Sequence, residues 1–233
     1  MNAIAIIPAR GGSKRLHGKN IVDFFGKPMI AWTIEAAINS ACFEKVLVST
    51  DDEEIARIAR EYGAEVPFLR PSAADDMSPI STATLVALQQ AENHWGCQFQ
   101  VVVQLMANCP MRGTEEIKAA IAEYHSKDAK FQISCFPFGW MNPWWAARLD
   151  NDGRPTALFP QAMTTRSQDL PRLYCPTGAI WIADAAALMQ EKTFYGTDHR
   201  LFPVHWTAAV DIDDAEDLQM ARSIYLMKTA THE

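Results

Sequence analysis

Residues 7–20 read Ile-Pro-Ala-Arg-Gly-Gly-Ser-Lys-Arg-Leu-His-Gly-Lys-Asn, and four cations, Arg10, Lys14, Arg15 and Lys19, fall within ten positions of a chain whose net charge is −7. Gly11 and Gly12 allow backbone N–H groups to come close to an oxyanion, and the flanking cations add charge-assisted hydrogen bonds, so a polyphosphate is the ligand this chemistry fits. The spacing is not that of a P-loop: five residues separate Gly12 from Gly18, and Asn20 stands after Lys19 where Ser or Thr is required. No GxGxxG is present either, which removes the main support for a dinucleotide site and hydride transfer. The competing reading of this segment is a solvated basic turn.

The second group is Val210-Asp211-Ile212-Asp213-Asp214. In an extended segment Asp211 and Asp213 project to one face, and two hard oxygen donors so placed suit Mg²⁺, which keeps most of its water and bridges to substrate phosphates. Asp214 is expected to cap the helix that follows. Ser49-Thr50-Asp51-Asp52 ends a strand-like run, and its two aspartates read mainly as a helix start. The six histidines show no ligand spacing, and the Trp140, Trp144, Trp145 cluster reads as local packing or a dimer contact before it reads as a stacking platform.

Positioning these groups requires strand ends. Ile4–Pro8 and Lys45–Thr50 are short apolar runs suited to buried parallel strands, with a helix over Pro28–Ser40 between them; a second helix spans Asp51–Tyr62 and closes at Gly63. Further strands are expected at Val66–Leu69, Gln100–Leu105, Lys130–Phe136, Gly178–Ala183 and Val204–Ile212, and further helices at Ser81–Trp95, Thr114–His125 and Ala215–Lys228. Alternation of strand and helix predicts an α/β fold: a mainly parallel sheet, helices on both faces, and a ligand crevice at the strand C-terminal ends. Residues 137–177, rich in proline and tryptophan, interrupt the alternation and read as an excursion from a single domain covering 1–233.

The 48% hydrophobic content suits one packed core, and the acidic balance disfavours a general nucleic-acid binder. The cysteines, Cys42, Cys97, Cys109, Cys135 and Cys175, are scattered and form no CxxC, as expected of thiols in a reducing cytoplasm. No run approaches the length of a membrane span, so neither nucleic acid nor membrane is expected as a partner.

Ala9, Arg10, Ser13, Lys14, Lys19 and Asn20 fill the fixed positions after the first of the motif I-x-A-R-x-x-S-K-x-x-x-x-K-N, and the segment resembles the opening of the N-acylneuraminate cytidylyltransferases, also called CMP-sialic acid synthetases. Val48-Ser49-Thr50-Asp51, Leu69-Arg70-Pro71 and Asp211-Ile212-Asp213 with Asp217 look like further family segments. The resemblance implies a three-layer Rossmann-like nucleotidyltransferase fold and a homodimer in which the excursion serves dimerisation and substrate binding. The implied reaction is attack by the anomeric hydroxyl of a 2-keto sugar acid on the α-phosphorus of CTP, giving a CMP-sugar and pyrophosphate. It implies that Ala9, Arg10, Gly11, Gly12, Ser13, Lys14, Lys19, Asn20 and Arg70 bind the nucleotide, that Asp211 and Asp213 carry Mg²⁺, and that Arg10, Lys19 and Asp211 are catalytic.

The acceptor side departs from the family pattern. Leu105-Met106-Ala107-Asn108-Cys109-Pro110-Met111-Arg112 aligns with L-Q-P-T-S-P-L-R but has Met106 in place of Gln, and Cys175-Pro176-Thr177-Gly178-Ala179-Ile180 stands in place of R-x-N-G-A-I. Arg166 and Gln168 match the R-x-Q-x-L-P segment. Met106, Asn108, Arg112, Trp145, Arg166, Gln168 and Thr177 are therefore the sugar-side candidates, and the expected acceptor is a modified bacterial nonulosonic acid such as legionaminic or pseudaminic acid. A CMP-Kdo synthetase-like activity, a sugar-phosphate nucleotidyltransferase and a catalytically silent nucleotide-binding subunit are the alternatives.

Overall fold

A computed structural model describes residues 2–71 and 79–230. In chain order the elements are β1 (Ala3–Pro8), β2 (Asp23–Phe24), β3 (Lys27–Pro28), α1 (Met29–Ser40), β4 (Lys45–Ser49), α2 (Glu53–Glu61), α3 (Ile80–Trp95) and β5 (Val101–Gln104). There follow α4 (Thr114–Ser126), β6 (Phe131–Pro137), β7 (Ala147–Leu149), β8 (Pro155–Ala157), β9 (Tyr174–Asp184), α5 (Ala185–Glu191), β10 (Arg200–Pro203) and α6 (Ala215–Ala230). The main sheet has the order β10-β6-β9-β5-β1-β4. β1 pairs in parallel with both β4 and β5, β10 pairs in parallel with β6, and β9 alone runs against its neighbours.

Every residue of β1 is buried, because both faces of the sheet are covered. Ile4 and Ile6 pack with Leu47, Val102 and Leu88 of α3 on one face. Ala3, Ala5 and Ile7 pack with Ile34 of α1, Ile55 of α2 and Ile117 of α4 on the other. The alternation is the period-2 geometry of a strand, and it yields the expected three layers.

A third apolar cluster lies beyond the sheet edge. Phe24, Met29, Met111, Val210, Ile212 and Leu218 are buried together, with Leu16, Val22 and Tyr225 packed against them. It ties the segment after β1 to residues 210–212 and to α6. Phe25 and Tyr225 stack at 4.2 Å between ring centroids, which clasps α6 to the β2–β3 hairpin.

Two expected strands are absent. Val66–Leu69 forms no ladder: Glu65 makes an isolated bridge to Leu47, the Val66 carbonyl accepts from Arg60 Nε at 3.0 Å and from its Nη2 at 2.7 Å, and Pro67 has no N–H to give. Val204–Ile212 is likewise not a strand. β10 ends at Pro203, and Trp206–Ala209 turns into a 3-10 helix with His205 at its N-cap. β9 starts at Tyr174, four residues ahead of the expected Gly178, and α5 was unforeseen; Asp184 caps it by accepting from Ala187 N at 2.8 Å. The excursion holds the β7–β8 hairpin and short 3-10 turns, with Trp144 anchored to the Pro171 carbonyl at 2.8 Å.

Gly196 lies against the core face of β6, where an added Cβ would come within 2.3 Å of a ring carbon of the fully buried Phe131. Gly196→Ala is expected to lower unfolding free energy by about 1–3 kcal/mol, the range for overpacking a filled interior; urea denaturation followed by tryptophan fluorescence measures it, and an unchanged midpoint would contradict this packing.

Candidate active site

β1 delivers the basic loop to the C-terminal edge of the sheet, as the parallel pairing with β4 and β5 requires. The loop is braced at both ends. Ala9 N donates to the Ser49 carbonyl at 2.9 Å, and the buried Asn20 donates from Nδ2 to the Arg10 carbonyl at 2.9 Å. Gly11 N donates to Asp51 Oδ1 at 3.0 Å, and an added Cβ on Gly11 would lie 2.6 Å from Asp52 Oδ2, so glycine is needed for this close approach. Asp52 in turn caps α2, accepting from Glu54 N at 2.8 Å and Ile55 N at 2.9 Å. The aspartates read mainly as a helix start thus divide the work: Asp52 caps and Asp51 holds the loop. Ser13 N closes a tight turn onto the Gly11 carbonyl at 3.0 Å, and Gly18 takes a left-handed φ of 61°.

The acidic segment arrives from the far end of the chain. Lys19 Nζ lies 2.8 Å from Asp213 Oδ1, and Arg15 pairs with the other oxygen of the same carboxylate. Asp213 N and Asp214 N donate to Asp217 Oδ2 at 2.9 and 3.2 Å, while Asp214 Oδ1 accepts from Glu216 N and Asp217 N. Asp214 and Asp217 thereby form a reciprocal cap for α6, as expected of Asp214. Their service as caps leaves Asp211 and Asp213 as the carboxylates turned to the loop.

Protein crowds Asp211 on most sides, yet one face stays open to solvent. Burial first, and then the charge of Asp213, pushes its carboxyl up to about 6, against the pull of Lys19. Water on the open face screens part of this charge. Asp213 moves the other way. Burial would raise it, but the hydrogen bonds and charges of Lys19 and Arg15 outweigh that and hold it below the usual carboxylate range.

Arg70 is buried beneath the loop, with Nη1 at 3.2 Å from the Ser49 carbonyl and 3.3 Å from its hydroxyl. Burial lowers its pKa, Asp51 opposes that, and the nearby Arg10 adds to it. Arg10, Arg70 and Asp51 therefore share one electrostatic environment at the ends of β1 and β4.

Asn108, in the segment after β5, contacts Asp211 Oδ1 and reaches the Ile212 carbonyl at 3.0 Å. Met106 is half-buried, and an added Cβ on Gly178 of β9 would come within 2.9 Å of its Cγ. Beneath it the fully buried Gln104 accepts from Thr84 Oγ1 at 2.6 Å and points its amide nitrogen at the Met106 sulfur, 4.0 Å away. Arg112 is almost fully buried, bonded through Nη2 to Thr33 Oγ1 at 2.7 Å, and burial brings its pKa down to about 10. Thr177 is buried too, its hydroxyl donating to the Ala209 carbonyl at 3.1 Å. Trp145, Arg166 and Gln168 lie on exposed turns of the excursion, where Arg166 pairs with Asp169 at 2.7 Å.

The structure thus brings together Ala9–Asn20, Arg70, Asn108, Asp211 and Asp213. It places Arg112 and Thr177 within the packing behind the site, and Trp145, Arg166 and Gln168 in the excursion. Asp51, at the end of a strand, reads from the sequence mainly as a helix start but holds the loop, whereas Thr33, Thr84 and Gln104 carry no sequence signal as site residues. Among the described residues no group of three or more His, Cys, Asp and Glu side chains forms a metal cage. Asp211 and Asp213, neighbouring hard oxygen donors, suit a cation that takes its other ligands from water and phosphate once Asp213 gives up Lys19 and Arg15.

A family model described as cytidylyltransferase matches residues 4–221. The pseudaminic acid cytidylyltransferase of Campylobacter jejuni is 34% identical over 97% of both chains. The CMP-N,N'-diacetyllegionaminic acid synthase of Legionella pneumophila is 35% identical over 96% of both. The N-acylneuraminate cytidylyltransferase of Streptococcus agalactiae is 33% identical over 93% of this chain and 52% of its own length. Among solved structures, a CMP:2-keto-3-deoxy-manno-octonic acid synthetase complexed with CTP superposes with a TM-score of 0.73 over 98% of this chain and 100% of its own, at 18% identity.

The electrostatics of Asp211 give a pH-dependent outcome. A carboxyl whose folded pKa is raised favours the folded state at low pH and loses that contribution as pH rises through the folded value, here about 6. Asp211→Asn keeps the neutral form at every pH. In the presence of EDTA its melting temperature is expected to exceed that of the wild type above pH 6 and to converge with it near pH 4; a difference independent of pH would refute the raised carboxyl.

Proposed function

The chain belongs to the cytidylyltransferase family, and from that premise we propose that it transfers CMP from CTP to the anomeric hydroxyl of a nonulosonic 2-keto sugar acid and releases pyrophosphate. The observation that carries this reading is the meeting of Lys19 with Asp213 across 194 positions, which sets a phosphate-type loop against the Asp211–Asp213 pair. Arg10, Lys14 and Lys19, with the backbone N–H group of Gly12, hold the triphosphate. Asn20 and Arg70 fix the shape of the nucleotide cradle, Asn20 through the Arg10 carbonyl and Arg70 through Ser49.

Displacement at the α-phosphorus needs its partners in line and its growing negative charge matched, more than it needs a covalent intermediate. Lys19 and Arg15 lie where each can exchange its Asp213 oxygen for a phosphate oxygen, and Asp213 would then join Asp211 in holding Mg²⁺. Mg²⁺ held by Asp211 and Asp213 would supply charge neutralisation at the phosphates and the departing pyrophosphate. Arg10 and Lys19 stabilise the same charge from the loop side, and Asp211 is catalytic through the metal it would carry.

On the acceptor side, Met106 presents a thioether above the sequestered Gln104, so the wall offered there is apolar and polarisable. Such a wall suits an acceptor that presents an apolar substituent there, and the relatives named for pseudaminic and diacetyllegionaminic acid support a modified nonulosonic acid. The excursion exposes Trp140, Met141, Leu149 and Met163, and this apolar surface supports a homodimer in which a second copy covers it. All five cysteines are free thiols, which suits the cytoplasm, and no helix among the described residues is long and apolar enough to cross a membrane.

The test is pyrophosphate release from four nucleoside triphosphates against a panel of 2-keto sugar acids that includes eight- and nine-carbon members, with Mg²⁺. Turnover is expected with CTP and a nonulosonic acid; failure of every such acid, with success of another acceptor, refutes the assignment. Asp211→Asn is expected to lower kcat by at least about 100-fold, the scale for losing a transition-state charge stabiliser. Met106→Gln is expected to shift the ratio of kcat/KM toward a hydroxyl-rich acceptor by about tenfold, on the scale of one substrate group in a binding wall.

A further inference from the structure

Asn108 does more at the acidic end than at the acceptor side. Its Nδ2 contacts Asp211 Oδ1, lies 3.0 Å from the Ile212 carbonyl oxygen, and lies 3.5 Å from Asp213 Oδ1. Its own carbonyl accepts from Ile212 N at 3.0 Å, so the segment after β5 and the segment before α6 are joined by a reciprocal pair of bonds. Three oxygen acceptors surround one amide nitrogen. Turning the carboxamide over would point its oxygen at two carboxylates and a carbonyl, so the donor face is the one directed to Asp211 and Asp213. The side chain is 2% exposed, which leaves almost no surface for a sugar to touch.

We propose that Asn108 is a positioning residue for Asp211 and Asp213 as metal-ligating carboxylates, in place of the acceptor-binding role its position in the sequence implies. The inference rests on the reading of those two aspartates as the Mg²⁺ ligands. Two carboxylates held side by side repel each other. Lys19 and Arg15 relieve part of the repulsion through Asp213, but a cation bonded to Asp211 as well would compete with the metal for its oxygens too. A neutral amide donor fixes one oxygen of Asp211 and steadies the backbone between the two acids without adding positive charge. Hydrogen-bond partners of metal ligands act in this way, orienting the ligating oxygens before the ion arrives.

The experiment counts free manganese(II) by electron paramagnetic resonance as the ion is titrated into full-length protein with saturating CTP and no acceptor. In parallel, the activation constant for Mg²⁺ and the acceptor KM are measured. Asn108→Ala is expected to weaken Mn²⁺ binding by about tenfold or more, Asn108→Ser by less, with acceptor KM at saturating Mg²⁺ held within about twofold. Unchanged Mn²⁺ affinity in Asn108→Ala overturns the proposal, as does an acceptor KM that rises more than the metal constant. Should the alanine variant not fold, the serine variant decides on the same two criteria. Equal Mn²⁺ binding by wild type and Asp211→Asn would instead remove the metal assignment, and this proposal with it, whereas normal loss in Asp211→Asn with no change at Asn108 removes the proposal alone.

Discussion

Two like charges held close together govern the arrangement of this site. Asp211 and Asp213 repel each other where protein limits hydration, and nothing local to Val210–Asp214 relieves it. Relief comes from elsewhere in the chain: Lys19 and Arg15 from the loop after β1, and the Asn108 amide from the segment after β5. Those groups meet the acids because Leu16, Val22 and Phe24 share an apolar cluster with Val210, Ile212 and Leu218. Packing sets the distance, and electrostatics then make use of it.

The same layout explains why the loop can be both rigid and cationic. Its backbone is tied to β4 through Ser49 and Asp51 and to its own C-terminal end through Asn20. Preorganised donors lose little further entropy when an anion arrives, which is the condition under which a charged loop binds strongly and specifically. Arg70, buried beneath it, adds positive potential at a point where water screens little.

Much of this was legible from residue order. The buried, two-faced character of β1 and the helix between β1 and β4 follow from local periodicity, and the Asp214 cap follows from one residue type at one offset. Where local signals misled, a specific atom decided the outcome. Val204–Ile212 has the alternating look of a strand, but Pro203 ends the ladder and His205 accepts the turn that follows. Val66–Leu69 loses its carbonyl to Arg60. Thr177 and Arg112 carry polar groups of the kind that bind ligands, and the fold turns the Thr177 hydroxyl to Ala209 and the Arg112 Nη2 to Thr33. Contacts such as Asn108 to Asp211, 103 positions apart, leave no trace in any periodicity, because only the closed sheet creates them.

The clasp between α6 and the β2–β3 hairpin also orders events in time. Translation makes the cationic loop among its first residues and the acids that compensate it, with α6, more than 190 positions later. Lys19 and Arg15 therefore lack their Asp213 partner in any chain that stops short of residue 213, and the hairpin lacks its Tyr225 partner until α6 is made.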